Sequence, residues 1–318
     1  MKYSKTNTIL LIIIIATISV GAGLTVIEHT QTQQRLIIAT TTSTYETGLL
    51  NYLIPSFEAR WRVDVQIVAV GTGQALTLGR TGDCDLLIVH ARSLEDEFIT
   101  QGYGVHRVTV WYNDFIIVGP ESDPANVTGL VNVTEAFKRI YLTGEAGACH
   151  FYSRGDGSGT EVREKQIWEL TGLQTPNPDT QSWYKRTGQG MSSTLLIANE
   201  DSIGYTITDR GTYASLINRL QFLEILVEKD KALLNPYSAI LVNPEKFPYI
   251  NFQTAVKFIA YICSDTGQAM IDGYEKNNMI LFHSCYGRSN STELDFDTDE
   301  QVAEYLDYWN PLIREFYS

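Results

Sequence analysis

The chain has 318 residues, 44% of them hydrophobic and 19% charged, with a formal net charge of −13 at pH 7. That length predicts two domains rather than one small core, and the composition is that of a globular protein. So acidic a chain argues against nucleic acid as a partner, because such binding needs a basic patch. The absence of any C-x-x-C among Cys84, Cys149, Cys263 and Cys285 argues against zinc.

Lys2 and Lys5 precede an apolar run from Ile9 to Val26. At about 18 residues it stands on the border between a signal segment and a spanning helix. Gly21-Ala22-Gly23 is a weak cleavage site, and no Cys follows that could carry a bacterial-type lipid. Residues 1–34 are therefore read as a signal or membrane anchor with a polar spacer, the retained anchor being favoured. Positive charge before the run places the rest outside the cytoplasm. The sequons at Asn126, Asn132 and Asn290 fit an exported chain. Cys263 and Cys285 are the pair able to bridge in an oxidising compartment, though four separate buried thiols is the preferred reading.

From residue 35 strands and helices alternate, which predicts an α/β fold with a mostly parallel sheet. RLIIAT is a strand, and Tyr45 to Arg60 a helix with Leu49, Leu50, Leu53 and Phe57 on one face. VDVQIVAVGTG is a strand, Gln74–Arg80 a short helix, CDLLIVH a strand and Ser93–Gln101 a helix. Thr109–Pro120 is a long apolar strand, followed by a loop and a helix near Thr134–Tyr141. CHFYSRG leads into a helix over Gly159–Leu170, and a proline-rich loop precedes a helix starting near Gly190. SIGYTITDRGTYASL reads as strand, turn and short helix. Asn235–Pro244 mirrors the strand at 109–120. These two strands predict two crossings between lobes, near Val118–Pro120 and Leu241–Asn243. Lobe I is then 35–118 plus 243–318 and lobe II is 119–242. Asn251–Cys263 and Asp265–Tyr274 close lobe I, and the tail after Arg288 turns from acidic to amphipathic and predicts a final helix on that lobe.

Three helix starts are rich in hydroxyls and glycine. In FYSRGDGSGTEVREKQIWEL, Arg154, Ser158, Thr160 and the backbone of Gly157–Thr160, Gly159 included, converge where a strand turns into a helix. A helix N-terminus carries roughly half a positive charge and up to four unpaired N–H groups, and so favours a small oxyanion. The guanidinium fork suits two oxygens of a tetrahedral anion, with Asp156 holding it in place. Thr40 to Thr44 exceed the single hydroxyl that an N-cap needs, which points to Thr41, Thr42 and Ser43 as anion donors. Thr72 in Gly71-Thr72-Gly73, and Gly188, Gln189 and Gly190 in the Thr187–Met191 loop, extend the set. Such starts, far apart in sequence, suggest one anion held between two lobes. No P-loop, nucleophile elbow or metal-ligand spacing of the five histidines is present in the sequence, and neither an enzyme nor a bound cofactor is expected.

The segments IIATTTSTYETGLLNYLIPSFE, VAVGTGQALTLGRTGDCDLLIVHA, GYGVHRVTVWYNDFIIVGP, SRGDGSGT, TGQGM, TDRGTY, LLNPYSAILVNP and FIAYICSDTGQAMI resemble, in this order, the tungstate-binding proteins of the TupA type. Those are extracytoplasmic solute receptors of ABC transporters. The resemblance covers about residues 36–285. It implies a two-lobed periplasmic-binding-protein fold, tungstate or molybdate in the cleft and a membrane permease as partner; a monomer is expected. The runner-up is a phosphate receptor, which shares the R-x-D-G-S-G-T turn but supplies a carboxylate at the strand that here ends in His90. A third reading is an anchored anion-sensing ectodomain.

Overall fold

The computed structural model describes residues 34–287 and 296–317. The apolar run at Ile9–Val26 and the sequon at Asn290 lie outside the described residues. Among the described residues no helix is long and apolar enough to cross a membrane.

The first lobe starts with β1 (Gln34–Thr41), whose apolar residues Leu36, Ile38 and Ala39 are buried. It pairs in parallel with β2 (Val63–Val70) on one side and β3 (Leu86–Val89) on the other. Helices follow each strand: α1 (Thr42–Thr47) and α2 (Leu49–Trp61), α3 (Thr72–Thr81), and α4 (Arg92–Thr100). The helix expected over Tyr45–Arg60 is thus broken. Gly48 sits in the left-handed region at φ 87°, and a Cβ there would stand 2.6 Å from the Tyr274 hydroxyl. Only glycine meets both demands.

The long strand β4 (Gly104–Pro120) runs from one lobe into the other. Lobe II is then built from α5 (Val133–Glu145), β5 (His150–Ser153), α6 (Gly159–Leu170), β6 (Tyr184–Arg186), α7 (Met191–Asn199), β7 (Gly204–Asp209), α8 (Arg210–Leu216) and β8 (Leu223–Val227). The chain returns through β9 (Leu234–Val242), α9 (Phe252–Cys263) and α10 (Asp265–Asp272). Short strands β10 (Glu275–Lys276), β11 (Met279–Ile280) and β12 (His283–Ser284) precede the terminal helix α11 (Asp299–Tyr317). The main sheet runs β2-β1-β3-β9-β4-β7-β5-β6.

Strand pairing moves both crossings from the expected places. Residues up to Asp114 of β4 pair with β9, whereas Phe115 to Val118 pair with β7 and Ile117 to Pro120 with β8. β9 pairs along its length with β3 and β4, so it belongs with the first lobe, not with residues 119–233. The handover is therefore at Asp114–Phe115, and the return lies between Val227 and Leu234, rather than at 118–120 and 241–243. Within Thr109–Pro120 the polar pair Asn113-Asp114 interrupts the apolar run at the place where β4 changes partners. Arg210 ties the two crossings together. Its Nε donates to Asp114 Oδ1 at 2.7 Å and its Nη2 to Glu228 Oε2 at 2.7 Å. Burial opposes the guanidinium charge, but the two carboxylates outweigh it and raise the Arg210 pKa.

One core, with Phe57, Trp111, Tyr237, Phe258 and Trp309, fills one face of lobe I; another, with Phe137, Phe151, Trp168 and Trp183, fills lobe II. Burying each such side chain stabilises by about 1.5–3 kcal/mol. The terminal helix packs on lobe I as expected. Trp309 is buried, and Tyr317 accepts from Trp61 Nε1 at 2.7 Å and donates to the Lys257 carbonyl at 3.0 Å. The four cysteines are buried and no disulfide joins them. Burial pushes the Cys84 and Cys149 thiols up to about 12.

Candidate oxyanion-binding cleft

The strands of each lobe point their carboxyl ends at one cleft of about 1050 Å³. Its walls are the starts of helices from both lobes, where open α/β sheets hold ligands. From lobe I come Thr41, Thr42 and Ser43 and the Gly71–Gln74 turn; from lobe II come Arg154, Asp156–Thr160 and Gly190–Ser193. The structure brings together Thr41, Thr42, Ser43, Thr72, Arg154, Ser158, Gly159, Thr160 and Gly190 from the sequence-based set.

The hydroxyl run divides its labour. Thr40 is fully buried and donates to the Ile88 carbonyl at 2.7 Å, joining β1 to β3. Thr41 caps α1, its Oγ1 accepting from the Thr44 N–H at 3.2 Å. The same oxygen lies 2.6 Å from Thr44 Oγ1, 3.1 Å from Ser43 Oγ and 3.3 Å from His90 Nε2. At α3 the N-cap is Gly71, with no side chain capping the helix, and a Cβ at Gly71 or Gly73 would meet nothing. The backbone there is open to the cleft.

On the facing wall Ser158 caps α6, its Oγ accepting from the Glu161 N–H at 3.4 Å. Asp156 Oδ1 accepts from the Ser158 N–H at 3.1 Å, and its carboxylate also receives Arg154 Nη2. Burial pushes the Asp156 carboxyl up, but the Ser158 hydrogen bonds and the Arg154 guanidinium outweigh it and hold it below the usual range. Arg154 Nη1 donates to Thr160 Oγ1 at 3.2 Å, while Nε is buried without a hydrogen-bond partner. A buried donor left unmade costs about 1–3 kcal/mol, more for a charged group, so this N–H favours an acceptor beside it.

Gly188 and Gln189 do not line the cleft. The Gly188 N–H donates to the Arg154 carbonyl at 2.8 Å, and Gly188 takes φ 64° to do so. The Gln189 N–H donates to Thr187 Oγ1 at 3.3 Å. Both stand behind Arg154 and fix the backbone that carries it. Gly190, the uncapped N-cap of α7, is the member of this loop that reaches the cleft, with Ser192 and Ser193 following.

Residues absent from the sequence-based set also face the cleft, His90 and Asn235 among them. His90 directly follows β3, and Asn235 lies beside it near the start of β9, with His90 Nδ1 3.1 Å from Asn235 Oδ1. The ring stacks on Tyr237 at 4.7 Å between centroids. Burial, with Arg154 and Arg163 nearby, lowers the His90 pKa to about 4 against the opposing Asn235 hydrogen bond. The signal in the sequence was a histidine at the carboxyl end of a buried strand. Arg92 and Arg163 line the cleft too.

A family model described as a PBP superfamily domain matches residues 27–266. The chain belongs to the PBP superfamily. Within it, the chain is 42% identical to the tungstate-binding protein TupA of Peptoclostridium acidaminophilum over 252 residues, 79% of this chain and 85% of that protein. It is 42% identical over 254 residues to a putative ABC transporter anion-binding protein of Haloferax volcanii, 78% of this chain and 71% of the other. The solved TupA from Desulfovibrio alaskensis G20 superposes with a TM-score of 0.71 at 41% identity, covering 79% of this chain and 99% of that one. The family resemblance drawn from the motifs is borne out, and so is the two-lobed fold of the PBP superfamily.

Proposed function

We propose that this PBP-superfamily chain is the extracytoplasmic receptor of an ABC transporter and binds one tungstate or molybdate dianion in its interlobe cleft. The observation that carries the reading is the Arg154 guanidinium. It is half-buried at the wall of the cleft that Thr41–Ser43 of the other lobe also line, and its Nε is buried without a hydrogen-bond partner. The names of its relatives support the same ligand class, tungstate in two and an unspecified anion in the third. Thr41, Thr42, Ser43 and Thr72 supply donors from lobe I, and Arg154, Ser158, Gly159, Thr160 and Gly190 from lobe II. Gly188 and Gln189 act on the anion only through Arg154.

The chain binds and delivers; it performs no reaction on the anion, which is its cargo. Its handover partner is a membrane permease, and the apolar run at Ile9–Val26 holds the receptor at the outer face of the membrane. Calorimetry of the full chain with tungstate, molybdate, sulfate and phosphate tests the reading. Tight one-to-one binding of tungstate or molybdate is expected. Tight phosphate binding with no response to tungstate would overturn it.

A further inference from the structure

We infer that His90 takes up a proton at Nε2 as the anion enters, so that the cleft binds a dianion and a proton together. This rests on the reading of the cleft as an oxyanion site. A hydrogen-bonded chain behind the cleft sets which nitrogen of His90 carries its proton. Asn235 Nδ2 points at Asn113 Oδ1, 2.8 Å away, and at the Tyr237 hydroxyl at 3.2 Å. With the amide so placed its oxygen faces His90, and an oxygen there takes the proton on Nδ1. A neutral ring then has a bare lone pair at Nε2.

The nearest donor to that lone pair is Thr41 Oγ1 at 3.3 Å. Thr41 already accepts from the Thr44 N–H and has a single hydroxyl proton. If it gives that proton to His90, it has none for the anion. If it does not, a lone pair faces the anion. A proton on Nε2 removes both difficulties. The ring becomes a charged donor, and the Thr41 hydroxyl is released to donate into the cleft.

The surroundings explain why the proton arrives with the ligand and not before. Arg154 and Arg163 face the ring from lobe II and disfavour a second cation. Asn235 and Tyr237 from β9, Asn113 from β4 and Thr41 from β1 are neutral neighbours. The carboxylates lining the same cleft are Glu46, Asp96 and Asp156, the last already paired to Arg154. A Cβ at Gly159 would stand 3.8 Å from His90 Cε1, so the ring abuts the start of α6, where the dianion is to sit. An incoming charge of −2 reverses the local field and favours imidazolium. The proton comes from solvent: an N–H bond forms at Nε2 as the proton leaves the buffer acid or water that carried it, and no other bond changes.

The test is calorimetry of the full chain with tungstate in two buffers of different ionisation enthalpy, across pH 6.5 to 9. The observed heats should differ by an amount that reports roughly half a proton or more taken up per anion near pH 7.5, and affinity should rise as pH falls, up to about tenfold per unit. His90→Gln keeps an N–H donor but cannot titrate, and should abolish both the buffer difference and the pH slope. Equal heats in the two buffers for the unaltered chain, with tungstate bound, would overturn the inference and leave the receptor reading intact. Retained proton uptake in His90→Gln would overturn the assignment to this residue. No tungstate binding at any pH would overturn both.

Discussion

At the scale of single residues, Arg154 is the group on which most of the binding energy should rest. Two of its nitrogens are engaged by Thr160 and Asp156 and the third is unpartnered. Bonds to an ionised group are about twice as strong as neutral ones. Arg154→Ala should therefore weaken tungstate binding by about 3–5 kcal/mol, the range for breaking a buried ion pair. Calorimetry checks this against Thr41→Val, and an equal loss in the two would contradict the role given to Arg154. A different residue should govern stability against pH. Glu164 is fully buried behind the site, where its carboxylate accepts from the Tyr184 hydroxyl at 2.7 Å and Trp168 Nε1 at 3.1 Å. Burial nevertheless dominates and raises its pKa to about 7. The folded state then holds this proton more firmly than the unfolded one. Stability should fall as pH rises from about 4.5 to about 7, by at most about 3 kcal/mol. Urea denaturation of Glu164→Gln should lack that component, and an unchanged pH dependence would disprove it. Arg154, Ser158 and Thr160 were legible in the sequence because one short segment gathers them. His90 and Asn235 were not, because they lie 145 positions apart and only the β3–β9 pairing joins them.

At the scale of elements, Gly48 and the terminal helix carry separate predictions. A side chain at Gly48 meets both the wrong backbone region and the Tyr274 hydroxyl. Gly48→Ala should cost more than about 1 kcal/mol, the usual size of glycine substitutions at compatible sites with the sign reversed. Thermal unfolding measures it, and an unchanged midpoint would refute the strain. Trp309 anchors α11 in the lobe I core, and Trp309→Ala should lower stability by about 3–5 kcal/mol in urea. The same extension reaches the cleft rim. Asp297 accepts from Arg92 Nη2 at 2.7 Å, and Gln301 accepts from the same nitrogen at 3.1 Å. The alternation of strands and helices was readable because each buried parallel strand is an apolar run ending in hydroxyls or glycine. Strand β8 was missed because five residues with mixed exposure give no clear period. The paired strands β10 and β11, of two residues each, are too short to show one.

At the scale of the whole molecule, a cleft of about 1050 Å³ exceeds even the 300–1,000 Å³ usual for a drug-sized ligand, and a tetrahedral oxyanion is far smaller. Donors on both walls reach one anion only if the lobes approach. Closure is favoured by the contacts that the shut form adds. Small-angle scattering should show a smaller radius of gyration with tungstate, and an unchanged radius with binding confirmed would count against closure. The sequence announced two lobes and two crossings, but not their positions, since only strand pairing shows that β4 changes partners at Asn113-Asp114 and that β9 lies with the first lobe. Arg210 has a consequence for how such lobes move. One guanidinium grips Asp114 on the outgoing strand and Glu228 in the segment that leads back to β9, so the two crossings are tied to move together. The joint behaves as a door on two pins of a common axle, with a single angle free. Distances between spin labels on the two lobes should form one narrow population in the empty protein, and Arg210→Gln should broaden it. A receptor with one free angle offers its permease two postures to tell apart, empty or loaded, with no third arrangement to be mistaken for cargo.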